Sequence, residues 1–304
     1  MTDPDPDAPD YVYDEFALFH ENAAEWDLPD PGRPAVQRVS TTLVDGRSLQ
    51  ALRWGTTAPE VVFVHGGAQN AHTWDTVALA LGRPALAVDL PGHGHSDWHP
   101  EQIYDPRALS DDVAVAVAEH APTAGLVVGM SLGGLTSNAL AARHPDLVRR
   151  LLIVDVTPGT TAEKAKHITD FVNGPQTFPG FGEILARTME FNPTRSESSM
   201  RRGILHNAHK LDDGSWAWNY DRERRRERSD VARSDLWADV AATTQPYLLA
   251  RGMATGTVVD DGDVAELTKH RPDAEIVEVP EAGHSIQGDQ PLVLAALIER
   301  QLTT

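Results

Sequence analysis

The apolar residues of this chain gather into short unbroken runs, each closed by Gly, Asp or Pro. Val61–Val64 leads into His65-Gly66-Gly67, Ala85–Val88 into Asp89-Leu90-Pro91-Gly92, and Gly125–Val128 into Gly129-Met130-Ser131. Leu151–Val154 stops at Asp155, and Pro246–Ala250 and Glu275–Val279 repeat the pattern. Apolar runs without polar alternation predict strands covered on both faces, as in a parallel sheet. Between them helices are predicted over Ala108–His120, Leu135–Arg143 and Val264–His270. Gln290–Gln301 also places Leu292, Leu294, Leu297 and Ile298 at helical spacing. Alternating strands and helices define an α/β fold, mostly parallel and flanked by helices, with its chemistry at the carboxyl ends of the strands. Gln37–Val44 and Ser48–Trp54, on either side of Asp45-Gly46, read as a hairpin on the sheet edge.

The alternation breaks after Thr157 and resumes near Asp239. Residues 31–157 and 239–304 therefore read as the core, and residues 158–238 as an inserted, mainly helical cap with a small hairpin at Asp213-Gly214. Residues 1–30 form an acidic N-terminal extension, and residues 1–10 are expected to be disordered because they offer little to bury against their ordering entropy. Within the cap, Arg222–Arg228 (RERRRER) resembles a nucleic-acid patch, but its interleaved glutamates favour a solvated helix face.

Composition narrows the picture. With 304 residues, 41% of them hydrophobic, the chain can build one large core. A formal charge of -19 repels nucleic acid and anionic membranes, and there is no cysteine for a disulfide, a thiolate metal site or a thiol nucleophile. The N-terminus lacks the basic start and apolar run of a secretory signal, and no apolar stretch approaches spanning length. The expectation is a cytoplasmic protein, monomer or homodimer, that acts on a small molecule and binds neither nucleic acid nor membrane.

The chemistry centres on Gly129-Met130-Ser131-Leu132-Gly133, a G-x-S-x-G sequence at a strand-to-helix junction. A turn tight enough to project the serine requires small residues two before and two after it, and the helix start supplies N–H groups for developing negative charge. His65-Gly66-Gly67 follows an earlier strand, where a second donor belongs, so Gly67 and Leu132 are the candidate oxyanion pair. Gly283-His284 follows the last strand, where a general base is expected. HGG at 65–67, DLPGHGHSD at 89–97, GMSLGG at 129–134 and AGH at 282–284 together resemble the α/β-hydrolase family, over about residues 37–157 and 239–304.

That resemblance implies a Ser-acid-His triad under a variable cap, with no cofactor. In most of the family the acid lies in a G-x-x-D-x-x-V pattern after the next-to-last strand. Here Gly252–Val258 puts Thr255 in that slot. A minority arrangement places the acid one strand earlier, a position filled by Asp155, 24 residues beyond Ser131. Asp155 is therefore assigned to orient His284, with Asp260 and Asp261 as reserves. A serine nucleophile argues against epoxide hydrolases and haloalkane dehalogenases, which use aspartate there. Ester or lactone hydrolysis is favoured, with carbon–carbon and amide cleavage open.

Two competing readings come from other classes. A non-catalytic small-molecule receptor on the same fold would explain the empty usual acid slot, and it would leave Asp155 far from His284. A binuclear metallo-hydrolase is suggested by His93-Gly94-His95-Ser96-Asp97-Trp98-His99, but Trp98 stands where the last ligand belongs. His206 and His209, three apart, lack a third partner in the sequence and read as structural or solvated. No metal is expected. The substrate pocket is assigned to His65, Gly66, Trp74, Met130, Trp216 and Trp218, with Trp74 equally suited to the core.

Overall fold

The computed structural model describes residues 5–8, 10–221 and 233–304. Six strands precede the insertion: β1 (Val36–Thr42), β2 (Ser48–Trp54), β3 (Val61–Val64), β4 (Ala85–Val88), β5 (Leu126–Met130) and β6 (Leu151–Val154). Within the insertion lie β7 (Thr177–Phe178), β8 (Ala208–Lys210) and β9 (Trp216–Trp218), and after it β10 (Tyr247–Gly252) and β11 (Glu275–Val279). The main sheet runs β1-β2-β4-β3-β5-β6-β10-β11. Pairing is antiparallel for β1 with β2 and β2 with β4, and parallel for the rest. The expected α/β-hydrolase fold is the observed one.

Every residue of β3, β4, β5 and β6 is buried, which explains their unbroken apolar sequences. Alternate side chains serve opposite faces. Val62, Val64 and Val127 pack with Leu109, Val113 and Leu140 of the helices Pro106–His120 and Leu132–Arg143. Phe63 and Val128 pack with Val77, Leu294 and Ile298 of the helices Asp75–Leu81 and Pro291–Thr303. Asp105 caps the helix Pro106–His120, accepting from the N–H groups of Arg107 and Ala108.

The helix after β5 begins at Leu132, three residues before the predicted start at Leu135. Its first turn, Leu132-Gly133-Gly134, reads as loop by propensity. Tertiary contact overrides this, because a Cβ on Gly133 would intrude on the backbone carbonyls of Val64 and His65, and one on Gly129 would strike Gly133 and Ser137. The glycines let β3, β5 and the helix approach backbone to backbone.

Apolar residues of the insertion, including Phe178, Ile184, Ile204, Trp216 and Trp218, cluster with Ala68 of the core, and Tyr11, Tyr13 and Leu18 pack against them. The insertion's sheet runs β7-β9-β8, and the expected hairpin turn carries Gly214 at φ +86°. The Arg222–Arg228 stretch lies outside the described residues. At the N-terminus one expectation is corrected: Asp7 is not loose but accepts from the Phe181 N–H at 3.0 Å and the Trp216 Nε1–H at 2.8 Å. Farther along, Phe19 and Ala23 of the helix Phe19–Glu25 are buried in the core. The acidic composition concealed this, since charge count does not reveal that an aspartate has buried N–H donors to satisfy.

Replacing Gly133 by Ala is expected to lower stability by about 1–3 kcal/mol through overpacking, read as a drop in the urea midpoint. An unchanged midpoint would contradict the close approach of helix and strand.

Candidate active site

The order β4-β3-β5 makes β3 the point from which the chain winds outward in both directions. The loops after β3 and β5 therefore part company there and leave a crevice at the strand ends, where ligands of open α/β sheets bind. Ser131 sits on the crevice edge with φ +52° and ψ -118°, between β5 and the helix Leu132–Arg143. This is a conformation that non-glycine residues rarely adopt. Its N–H donates to Val154 O at 3.3 Å, so Ser131 lies beside the end of β6.

Asp155 follows β6, also at positive φ (+44°), with its N–H on Ala250 O at 2.8 Å. Its carboxylate is fully buried. Oδ1 accepts from Gly252 N–H at 2.9 Å and Thr257 Oγ1–H at 2.6 Å. Oδ2 accepts from Val258 N–H at 3.1 Å and His284 Nδ1–H at 3.0 Å. The loop that lacks an acid at Thr255 thus supplies donors for the acid on the neighbouring strand. Sequence reading missed Gly252, Thr257 and Val258, although a G-x-x-x-x-T-V loop beside a displaced acid is a usable signal. The reserve acids are occupied elsewhere. Asp260 caps the helix Asp261–His270 and pairs with Lys164 at 2.7 Å, while Asp261 is 95% exposed and pairs with Arg251.

Around the serine, Gly66 N–H donates to Gln69 Oε1 at 3.0 Å, fixing the turn that carries half-buried Gly67. Leu132 opens its helix, so its N–H has no acceptor within that helix. His65 is fully buried and does not line a pocket: Nε2 accepts from Leu90 N–H at 2.9 Å and Nδ1–H donates to Gly66 O at 2.7 Å. It ties the loop after β3 to the loop after β4. Met130 and Gly66 pack against each other below the serine. Trp74 belongs to the core, stacked on Phe63 with ring centroids 4.9 Å apart. Trp216 is likewise interior to the insertion, packed on Phe181. Of the assigned pocket tryptophans, Trp218 alone lines the cavity between insertion and core. Trp216 and Trp218 share one face of β9, so only contacts remote in sequence decide which of them reaches the cavity.

The DLPGHGHSD turn is organised by Asp89, which accepts from Ala71 N–H at 2.7 Å, His95 N–H at 3.1 Å and Arg38 Nη1 at 2.8 Å. His93 donates to Pro91 O at 3.0 Å, so this stretch is a structural turn. Among the described residues, one group brings possible metal ligands within 4.8 Å of each other: His72, Asp75 and His206. The two imidazoles are stacked 3.9 Å apart and 9° from parallel, so their in-plane lone pairs do not converge on one ion. His72 instead presents Nδ1 to Asp75 Oδ2 at 2.9 Å and Nε2 to Glu15 Oε2 at 3.3 Å. Two carboxylates facing two ring nitrogens call for an imidazolium. Burial pulls the His72 pKa down, but Asp75 and Glu15 outweigh it and raise it to about 9. His206 accepts from Tyr13 O–H at 2.5 Å, and burial next to cationic His72 keeps it neutral. His209, three residues on, is exposed and pairs with Asn219 at 2.6 Å.

Residues 59–291 match the alpha/beta hydrolase fold family, and the chain belongs to that family. It is 46% identical over 299 residues to the esterase Rv0045c of Mycobacterium tuberculosis, covering 96% of each chain. A crystal structure of that esterase superposes with a TM-score of 0.85 at 44% identity, over 97% of this chain and 99% of the other. The 2-(acetamidomethylene)succinate hydrolase of Mesorhizobium japonicum is 28% identical over 83% of this chain and 91% of its own length. A mouse sn-1-specific diacylglycerol lipase, ABHD11, is 28% identical over 80% of this chain and 81% of its own. Among the described residues no helix is long and apolar enough to cross a membrane.

Because the folded pKa of His72 lies above the ordinary imidazole value, its contribution to stability is complete below about pH 6.5 and is lost as pH rises through about 9. The melting-temperature gap between the native protein and His72→Gln should narrow across that window. A gap constant from pH 6 to 10 would contradict the imidazolium.

Proposed function

We propose that this protein is a serine hydrolase that cleaves a carboxylic ester or lactone of a small organic substrate through an acyl-enzyme. The observation that carries the reading is the 3.0 Å bond from His284 Nδ1 to a buried Asp155, just after β6 and beside a serine held at positive φ. That bond leaves Nε2 of His284 as the basic nitrogen and stabilises the imidazolium formed in the reaction. Ser131 attacks the carbonyl as His284 takes its proton. The oxyanion is received by the N–H groups of Gly67 and Leu132, each worth about 3 kcal/mol of barrier. His284 then protonates the leaving alcohol and activates a water that releases the acid. No step calls on a cofactor. The 46% identical relative named an esterase supports ester cleavage over carbon–carbon or amide cleavage. The receptor reading placed Asp155 away from His284, and the bond weighs against it.

Intact mass after a reactive fluorophosphonate should show one adduct, absent from Ser131→Ala. A folded native protein that takes up no label would overturn the nucleophile assignment.

Asp155→Asn is expected to cut kcat by about 10⁴-fold, as for a triad aspartate that sets the tautomer. Its amide must also face donors that now meet a carboxylate, for a loss of about 1–3 kcal/mol in stability. Kinetics below the variant's melting temperature separate the two effects, and an Asp155→Asn enzyme of native kcat would remove Asp155 from the triad.

A further inference from the structure

Between the insertion and the core lies a cavity of about 200 Å³. Its core wall includes Gln69 and Asn70, just beyond Gly67, and Ser285, Gln287 and Gly288, just beyond His284. The charged groups on its other walls do not follow the acidic character of the chain, whose formal charge is -19. They include Arg195, Arg202 and the acid Glu25. Glu25 is engaged by Arg202 and Ser196, and Arg202 also has Glu21 at 3.6 Å.

Arg195 is placed differently. Nη2 donates to Ser199 Oγ at 2.6 Å, and its ion-pair partner Asp289 is 3.8 Å away, beyond hydrogen-bonding distance. The other oxygen of Asp289 already accepts from Gly283 N–H at 3.0 Å. Arg195 lies against Gly288, where a Cβ would collide with the guanidinium, so the cation is laid on the short helix Ile286–Asp289 that follows His284. Burial works against its charged form and lowers its pKa. A guanidinium stays protonated all the same, and with 22% of its side chain exposed on the cavity wall it keeps donors open to an acceptor that enters. A planar carboxylate matches that fork in both charge and geometry.

We propose that this cavity is an anion subsite in which Arg195 binds a free carboxylate of the substrate, making half-esters of dicarboxylic acids the preferred substrate class. The proposal rests on the serine-esterase reading and deepens it. The acidic surface repels such a substrate at long range, so discrimination comes from the local contact within the cavity.

The test compares kcat/KM for mono-p-nitrophenyl adipate and its neutral methyl ester, which differ in the remote charge. A charge-assisted contact gives the acid an advantage of about 10- to 100-fold. The ratio should fall toward one in Arg195→Gln and recover in part in Arg195→Lys. Hydrolysis of both esters with a native ratio at or below one, or with a ratio that Arg195→Gln leaves intact, would overturn the subsite and leave the esterase reading standing. No turnover of either ester, together with no fluorophosphonate label, would overturn the esterase reading and the subsite with it. Should the variants fail to fold, inhibition of the native enzyme decides: adipate must compete with the neutral ester more strongly than adipamide does, and equal inhibition would overturn the proposal.

Discussion

Asp155 carries a carboxylate out of reach of water, and the chain around it is arranged to make that tolerable. An isolated buried carboxylate would take up a proton or unfold its surroundings. Here four donors converge on two oxygens, three of them from the segment Gly252–Val258 and the fourth from His284. The demand is met across strands, since β6 supplies the acid and β10 the loop that solvates it. The same satisfied carboxylate fixes the ring of His284, which arrives from beyond β11 on a loop held by Ala254 N–H to Ala282 O and by Gly283 N–H to Asp289. The course of the Gly252–Val258 loop and the orientation of the imidazole thus both answer one electrostatic requirement.

Legibility in the sequence followed the range of the forces involved. Strands β3, β4 and β6 are read at their ends because full burial on both faces leaves an unbroken apolar run. The placement of Ser131 and His284 at strand ends is legible from the order of the chain, and the pairing of Asp155 with His284 from the missing acid at Thr255. What escaped were features set by contacts remote in sequence. The helical start at Leu132 depends on two carbonyls at the end of β3, the anchoring of Asp7 on an amide and an indole far away in sequence, and the interior position of Trp74 on Phe63. Local propensity carries no trace of such partners.

The stacked pair His72 and His206 shows how the same residue type is used twice with opposite charge. The first imidazole is held as a cation between Asp75 and Glu15, and the second stays neutral because it is buried against that cation and accepts from Tyr13. The arrangement joins the helix Glu197–Asn207, the loop after β3 and the N-terminal segment at a single point. The loop that positions Gly67 is therefore braced from above as well as from the sheet.

The anchoring of Asp7, Tyr13 and Glu15 has a bearing on how such enzymes are recombined. Asp7 bonds the insertion, Tyr13 bonds His206, and Glu15 bonds Arg38 and His72 of the core. A segment distant in sequence from the insertion is part of its seat. The insertion is consequently not a self-contained module: a chimera that transplants only the segment between β6 and β10 leaves its fastenings behind in the donor, and the portable unit is a discontinuous one that includes the N-terminal strap.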